Sequence, residues 1–522
     1  MPANSPRFFS NFRLTDCRVL LVCLSIGFFV RLVPELLAFP LPIGSDTVYY
    51  ATVMKSGAVW AHWSTFFTST WLLNALIVPL YNFTQADPFL LLKVVAPLLY
   101  GLNVAGIYWF ARKTLGWSLR MGVLASIFFA LQLASLRISW DLLRNTLGFG
   151  ILLFALSYVK DVKSTRGYAL FASLSLLSVF AHEYAAIMLF VAVFGLILWG
   201  FAKKQAELDF KRVTLGLLPA LGIFMLGIGL RLFPVRYFVE TNVIGVSDAV
   251  SGRSGGLFFL VDYLSVQNSV DSYPSYWNLV WSVLILFAVL YLPYLFLVAK
   301  GFFKNGILGS WTVLLMVGAF GCLLVPFSAL LYWHRWMFML VYPFTFYAVN
   351  GISKLWSKLP KEQKSPLVWP FDKKTSAMVL LTFYLGMVYL TTPVMMTNTG
   401  LSFASVTQTY RYFSVGPNVP YEDAANVVQA MRWLNNNSNP ASCVALQHTF
   451  VFWGRLYLEK TQAIVSFDNN LNLAAATAVE HNFTKVYFVW WNTPIGWYDF
   501  SLPQNLAKVQ DFGRISVYAM EM

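Results

Sequence analysis

Apolar stretches of 18 residues or more recur through the first 396 positions of the chain, with short polar segments between them. An α-helix needs about 20 predominantly apolar residues to cross the hydrocarbon core of a bilayer. The pattern therefore predicts a polytopic α-helical membrane protein. About eleven spans fit it, near residues 17–39, 88–111, 119–136, 141–159, 167–182, 184–201, 213–232, 277–299, 306–325, 328–350 and 375–396.

Basic residues set the predicted orientation of these spans. More than half of the 37 Lys and Arg residues fall in six patches between apolar stretches. Because cytoplasmic loops carry the excess of Lys and Arg, the patches are assigned to the cytoplasm, and the net charge of +14 reports orientation rather than a nucleic-acid partner. A further apolar stretch, residues 66–83, would reverse this bias if it crossed, so it is interpreted as an interfacial or re-entrant helix.

Two loops and the C-terminal tail are then predicted to be external. The loops are residues 40–87 and 233–276, and both belong to a transmembrane module of residues 1–396. The tail, residues 397–522, contains short apolar runs typical of strands and two segments with helical periodicity, which predicts a small external α/β domain. The strand runs are 443–446, 463–467, 485–491 and 515–518, and the helical segments are 421–435 and 471–481.

Composition narrows the class of protein. The chain is 58% hydrophobic and 11% charged, whereas an ordinary soluble domain is about 25% charged, which excludes a soluble enzyme. Its four cysteines form no Cys-x-x-Cys pair, so neither a disulfide framework nor a zinc site is predicted. The tail has no Gly-rich phosphate loop, and no nucleotide is assigned to it.

Charged residues at the external ends of the spans are the candidates for function, because charge in or beside a membrane is costly unless it is used. Arg31 and Glu35, four residues apart in span one, are interpreted instead as a helix-stabilising pair. The candidates are Asp46 and Lys55 in the first external loop, Arg137, Asp141 and Arg144 in a predicted external turn at residues 137–145, His182 and Glu183 in the next external turn, and His334 and Arg335 at the external start of span ten.

This mixture of acids and bases predicts a site for an anionic lipid headgroup. Arginine and histidine neutralise and orient phosphate, which assigns Arg144, His334, Arg335, Arg137, His182 and Lys55 to donor binding. A carboxylate accepts a proton from a hydroxyl or binds a divalent ion, which assigns catalytic roles to Asp46, Asp141 and Glu183. Asp46 is the predicted base, and the other two acids would orient the acceptor or bind a metal.

The layout resembles the GT-C superfamily of membrane glycosyltransferases, and its eleven spans look most like the protein O-mannosyltransferases. The resemblance places the acid that opens the first external loop, Asp46, at the catalytic centre, although Thr47 stands where those enzymes carry a second acid. Asp141 is similar in placement to the second acidic motif of oligosaccharyltransferases. Their Trp-Trp-Asp-Tyr-Gly motif is absent, and the nearest run, at residues 490–494, is interpreted as a strand end.

The resemblance implies a hexosyltransferase of the plasma membrane that moves a sugar from a polyprenyl-phosphate donor to an external protein, lipid or glycan acceptor, with inversion. Mannosyltransferase-like members would need no metal, whereas oligosaccharyltransferase-like ones would bind Mg²⁺ or Mn²⁺, for which Asp46, Asp141 and Glu183 are the candidate ligands. The alternatives are an oligosaccharyltransferase-like enzyme, a transporter or flippase of lipid-linked sugars, which should carry charge near the midplane, and a non-catalytic scaffold.

Overall fold

The structure, a computed structural model, describes a helical part and an α/β part of the chain. The predicted domain boundary near residue 397 and most of the predicted external loop 233–276 lie outside the described residues. Those residues are 14–44, 46–60, 65–68, 70–203, 209–232, 243–245, 276–324, 333–357, 373–395, 419, 421–459, 461–467, 471–492 and 506–522.

The helical part contains helices of very different lengths. In the first half they are α1 (Leu14–Leu37), α2 (Asp46–Ser56), α3 (Thr65–Thr68), α4 (Leu72–Thr84), α5 (Pro88–Lys113), α6 (Leu119–Ala130), α7 (Leu133–Asp141), α8 (Leu143–Tyr158), α9 (Thr165–Ala181), α10 (Glu183–Ala202) and α11 (Phe210–Leu232). The second half has α12 (Tyr276–Tyr291), α13 (Leu295–Gly301), α14 (Gly306–Phe320), α15 (Trp333–Met339), α16 (Val341–Ser357) and α17 (Lys373–Met395), with 3₁₀ turns at Leu292–Tyr294 and Gly321–Leu323.

Seven helical segments of the described chain are long and apolar enough to cross a membrane, and α6 with α7 would make an eighth if this pair, bent by 62°, is one span. Helices α8 and α9 are apolar but shorter. The prediction of a polytopic α-helical membrane protein is confirmed. The seven segments are Thr15–Leu37, Pro88–Lys113, Glu183–Ala202, Phe210–Leu230, Leu279–Gly301, Gly306–Leu323 and Lys373–Thr391.

Three local predictions in this part are wrong. Residues 137–145 do not form a turn, because α7 runs to Asp141 and only Leu142 separates it from α8. Residues 66–83 form two helices, since the Trp71 indole nitrogen donates to the Phe66 carbonyl at 2.9 Å and folds α3 back onto the start of α4. The predicted span 328–350 begins outside the described residues and is interrupted at Leu340, between α15 and α16.

Glycines allow pairs of helices in the bundle to approach closely. A Cβ atom on Gly101 of α5 would lie 2.5 Å from the Leu24 carbonyl oxygen of α1, and one on Gly27 of α1 would lie 2.7 Å from the Val104 side chain of α5. Small residues at such crossings are typical of membrane helices, which associate through close packing rather than through exclusion of water. The α1–α5 pair is therefore fixed in its relative position.

The α/β part is a mixed sheet with helices beside it. Its elements are α18 (Tyr421–Asn437), β2 (Ser442–Gln447), α19 (His448–Tyr457), β3 (Ala463–Phe467), α20 (Leu471–Glu480), β4 (Lys485–Trp491), β5 (Ala507–Phe512) and β6 (Ile515–Glu521). The described strands are ordered β1-β3-β2-β4-β6-β5; the first four are parallel, and β6 and β5 pair antiparallel. Strand β1 (Val243–Gly245) comes from the second predicted external loop.

The predicted strands and helices of the tail are confirmed, including the strand end at residues 490–491. Helix α19 and strands β1 and β5 were not predicted. A shared apolar core joins this sheet to α2, α4 and the start of α5. At its centre the ring centroids of Tyr49 and Phe452 lie 5.2 Å apart, and those of Phe89 and Trp453 lie 6.0 Å apart. Helix α19 is thereby packed against α2.

Candidate active site

Asp46 is the first residue of α2 and lines a cleft between the first external loop and the α/β part. The chain reaches it through Gly44, whose φ of 81° is in the region that favours glycine. A carboxylate in the first turn of a helix is stabilised by the helix dipole. The cleft has a cavity volume of about 50 Å³, and it is lined by Pro42, Gly44, Asp46, Val48, Val419, Ala424, His448, Thr449, Phe452 and Trp453.

The far wall of the cleft is built where β2 ends and α19 begins. The side chain of Gln447 accepts a hydrogen bond from the backbone N–H of Thr449 at 2.8 Å and so caps α19. Strand β2 lies between β3 and β4. After β2 the chain adds β3 on one side of it, and then crosses over to add β4 on the other side. Open α/β sheets bind ligands at the carboxyl ends of strands where the order reverses in this way.

Arg144 connects α8 to the first external loop. Its guanidinium donates to the Tyr49 hydroxyl and, at 3.4 Å, to the Thr70 hydroxyl. The carbon of the guanidinium lies 5.0 Å from the ring centroid of Tyr49 and 5.7 Å from that of Tyr50. Asp46 is near enough for its charge to act on Arg144, and burial raises the pKa of Tyr50 well above its ordinary value. The Arg144 guanidinium and the Tyr50 phenol therefore lie near Asp46.

His182 lies near the Arg144 guanidinium and near a second one, that of Arg335. Its Nδ1 accepts the backbone N–H of Tyr184 at 3.1 Å, so His182 caps α10, and Nε2 carries the proton of the neutral ring. The charges of Arg144 and Arg335 both act on His182. His334 in turn feels Arg335 and Arg137.

The described structure thus brings five of the predicted donor-binding residues into one row. From Asp46 outward they are Arg144, His182, Arg335, His334 and Arg137. The guanidinium of Arg137 lies 5.7 Å from the ring centroid of Phe338. Helices α7, α8 and α15 and the junction of α9 with α10 contribute these side chains, so residues far apart in sequence lie near one another.

The other predicted residues are placed differently. Glu183 is buried in the first turn of α10, next to His182. Asp141 ends α7, and its side chain lies outside the described part of the structure. Lys55 lies in the last turn of α2, where its Nζ donates to the Leu456 carbonyl of α19 at 2.6 Å. Lys55 therefore joins α2 to the α/β part.

The metal-binding prediction depends on Asp46, Asp141 and Glu183 converging. Within the described residues, no three His, Cys, Asp or Glu side chains lie close enough together to hold a metal ion. The predicted set includes Asp141, whose side chain is not described.

Sequence reasoning missed the residues that form the far wall of the cleft. His448, Thr449, Phe452 and Trp453 lie on α19 and line the cleft opposite Asp46. One signal was available, since a polar pair, Gln447 and His448, directly follows a predicted buried strand. The carboxyl end of a parallel strand is a common place for a ligand site.

No protein-family model and no curated protein sequence matches the chain. Among solved structures, the arabinofuranosyltransferase AftD from Mycobacteria is similar in fold, with a TM-score of 0.50, 11% identity, and coverage of 97% of this chain and 40% of that one. The chain therefore spans well under half of the length of AftD. The Archaeoglobus fulgidus oligosaccharyltransferase in its apo form matches with a TM-score of 0.47, 13% identity, and coverage of 93% and 70%.

The likeness to AftD identifies the class of fold. The chain has a GT-C-like fold, and it is an integral membrane protein with several apolar helices. The expected resemblance is confirmed at the level of the fold.

Proposed function

We propose that this protein is a membrane glycosyltransferase that moves a sugar from a polyprenyl-phosphate donor to a hydroxyl of an acceptor at the external face of the plasma membrane. The observation that carries the proposal is the position of Asp46, in a cleft lined on its far side by aromatic side chains of α19 and near enough to Arg144 for the two charges to interact. The fold shared with AftD supports the same class of activity.

The three arginines of the candidate active site, which are Arg144, Arg335 and Arg137, suit a phosphate that becomes a leaving group. As the bond between the sugar and the phosphate breaks, negative charge grows on the phosphate oxygens, and prearranged cations stabilise that charge. Arg144 and Arg335 would do this best, because the planar guanidinium binds phosphate through two parallel hydrogen bonds. His182 and His334 lie beside them as further donors. The polyprenyl chain would remain in the bilayer.

Asp46 would serve as the general base. Its carboxylate takes the proton of the acceptor hydroxyl while that oxygen attacks the anomeric carbon and the bond to phosphate breaks. The products are the glycosylated acceptor and the polyprenyl phosphate. A single displacement with one base and no covalent intermediate inverts the anomeric configuration.

The wall formed by α19 would receive the acceptor. Phe452 and Trp453 present aromatic surface to the cleft, and His448 and Thr449 present polar groups. Such a wall fits an acceptor with hydroxyls and an apolar face, such as a sugar ring, since aromatic side chains bury large areas against apolar surfaces.

The test is an assay of the purified full chain with a panel of polyprenyl-phosphate sugars, in which intact mass reports sugar added to acceptor candidates. Asp46→Asn should lower turnover about a hundred- to ten-thousand-fold, the usual effect of losing a general base, while donor binding persists. Asp87→Asn is the matched control, because Asp87 is an exposed acid of the same loop that caps α5 and asparagine caps equally well.

Two results would contradict the proposal. Normal turnover in Asp46→Asn would move the base elsewhere, with Asp141 and Glu183 next in line. Donor binding by the wild-type chain without transfer to any acceptor, accompanied by movement of the lipid between leaflets, would favour the transporter alternative.

The proposal includes the eleven-span arrangement and an external position for residues 397–522. In a Cys17→Ser background, which removes the exposed cysteine among the described residues, Asn437→Cys should react with a membrane-impermeant reagent added outside intact cells. Ser357→Cys should react only after the cells are opened, because it follows a basic patch assigned to the cytoplasm. Both positions are exposed. Labelling of position 357 from outside would exclude this topology.

A further inference from the structure

A buried ionic network links α1 and α5. Arg31 and Glu35 of α1 form the predicted pair, with Nη2 and Oε1 2.8 Å apart. Lys93 of α5 adds a second cation, whose Nζ lies 3.1 Å from the other Glu35 oxygen and donates to the Glu35 backbone carbonyl at 3.0 Å. All three residues are buried. The network therefore contains two cations and one anion away from water.

Arg31 also reaches a third helix, whereas the contacts of Lys93 in the described structure are with Glu35 of α1. Its Nε donates to the Ser139 carbonyl at 3.2 Å, and its Nη2 donates to the Trp140 carbonyl at 3.3 Å. Both carbonyls belong to the last turn of α7, which ends at Asp141. The side chain is completely buried, so it touches the helix end rather than the cleft.

The break at Leu142 explains why these carbonyls need a partner. In a continuous helix the Trp140 carbonyl would accept the backbone N–H of Arg144, four residues on. Here Leu142 has a ψ of 54°, and the Arg144 N–H interacts with the Tyr50 hydroxyl instead. Carbonyls at a helix end within a membrane protein must be satisfied by another group. The Arg31 guanidinium supplies that group.

The same break sets the positions of two predicted site residues. Asp141 is the last residue of α7, and Arg144 lies in the first turn of α8, with its guanidinium on Tyr49 and Thr70. A shift or unwinding at the end of α7 would therefore be transmitted to both.

We infer that Arg31 is a positioning residue, which caps α7 from α1 and so holds the α7–α8 break that places Arg144 against Tyr49 and Thr70. It touches neither donor nor acceptor. The effect on turnover rests on the proposed function, whereas the capping itself does not. A lysine would keep the ion pair with Glu35 but would lose the planar fork that reaches two carbonyls.

The network offers a matched pair of variants. Arg31→Met and Lys93→Met each remove one cation and leave Glu35 with the other, so both produce a neutral buried pair. They differ in that Arg31 contacts α7. Hydrogen–deuterium exchange of the backbone amides in residues 137–146 measures the integrity of the helix end, and steady-state kinetics measures turnover and the donor Michaelis constant.

Arg31→Met should accelerate exchange in residues 137–146 and lower kcat about a hundredfold, the effect of a misplacement of about 1 Å at a catalytic centre. Lys93→Met should leave both close to wild type. Arg31→Lys should also show fast exchange, and it replaces Arg31→Met in the comparison if the methionine variant does not fold.

Each result decides a separate point. Equal exchange in the Arg31 variants and Lys93→Met would overturn the capping role. Fast exchange with a normal kcat in the Arg31 variants would overturn the positioning role. An equal loss of kcat in Lys93→Met would also overturn it, because the network as a whole would then be responsible. Absence of transfer by the wild-type chain would overturn the proposed function, while the exchange comparison would still decide whether Arg31 caps α7.

Discussion

The cleft around Asp46 has two walls of different chemistry. Beyond the helical wall lie three arginines, Arg144, Arg335 and Arg137, with His182 and His334 among them. The wall on α19 is mainly aromatic, and its polar groups are a histidine and a threonine, His448 and Thr449. Positive charge is thus concentrated where a phosphate would bind, and the side facing a hydroxyl acceptor is almost uncharged.

The two walls also differ in how they are held. Helix α8 packs so closely on the α9–α10 junction that a Cβ on Gly148 would lie 2.9 Å from the Ala185 Cβ and 3.1 Å from the His182 Cβ. Helix α19 is joined to α2 by the ring contact of Tyr49 with Phe452 and by the hydrogen bond from Lys55. Close backbone packing leaves less room for movement than a few side-chain contacts do. The helical wall, to which the proposal assigns the donor, is therefore expected to be more rigid than the wall on α19.

Of the substitutions that compare the two walls, those at Arg335 are expected to change a Michaelis constant most. Arg335→Ala should raise the donor Michaelis constant about 10- to 100-fold, because a hydrogen bond to a charged group is worth about 1.5–3 kcal/mol. Arg335→Lys should raise it less, since it keeps the charge and loses only the fork. The acceptor Michaelis constant should stay the same in both variants. A lower melting temperature with an unchanged donor dependence would instead assign Arg335 a structural role.

Gly148→Ala should show how rigid the donor wall is. The added methyl group has to displace Ala185 or His182, and overpacking of this kind lowers the free energy of unfolding by about 1–3 kcal/mol. The donor Michaelis constant should rise with it, because His182 moves. Gly309→Ala on α14 is the control, since a Cβ there has open space and alanine favours a helix by about 1 kcal/mol. Equal melting temperatures in the two variants would contradict the close contact.

The smallest change in a Michaelis constant is expected from a substitution in the wall on α19, to which the proposal assigns the acceptor. His448→Ala should raise the acceptor Michaelis constant about 2- to 10-fold, the loss of one ordinary hydrogen bond, and should leave the donor constant unchanged. His481→Ala is the control, because His481 is also exposed and follows α20, and it is not among the cleft-lining residues. A change in the donor constant alone would show that the two walls are assigned the wrong way round.

The sequence allowed prediction of those parts of the molecule that depend on local patterns. Strands at residues 463–467 and 485–491 and the helix starting at Tyr421 follow directly from the spacing of apolar residues. Helix α19 was missed, because its residues Phe450, Val451 and Phe452 have high strand propensity and become helical through packing against the sheet. Strand β1 is three residues long, and its partner is far away in the chain.

The site was predictable where the membrane penalises charge. Asp46, Arg144 and Arg335 were identified because a charge near a bilayer is costly. His448 lies in the α/β part, where a polar residue carries no such penalty, and only its place directly after a predicted buried strand pointed to it. The Arg31–Glu35 pair followed from helical spacing, whereas the contacts of Arg31 with α7 are non-local and required the fold.

Strand β1 has a consequence for the order in which the protein assembles. Val243 pairs with Ile464 and Gly245 with Ser466, so this edge of the sheet closes only after the ribosome has made β3. Until then the segment at residues 243–245 has no strand to pair with, while the intervening helices are being inserted. Nascent chains released before residue 463 should therefore leave this segment open to protease, and chains extended past residue 467 should protect it.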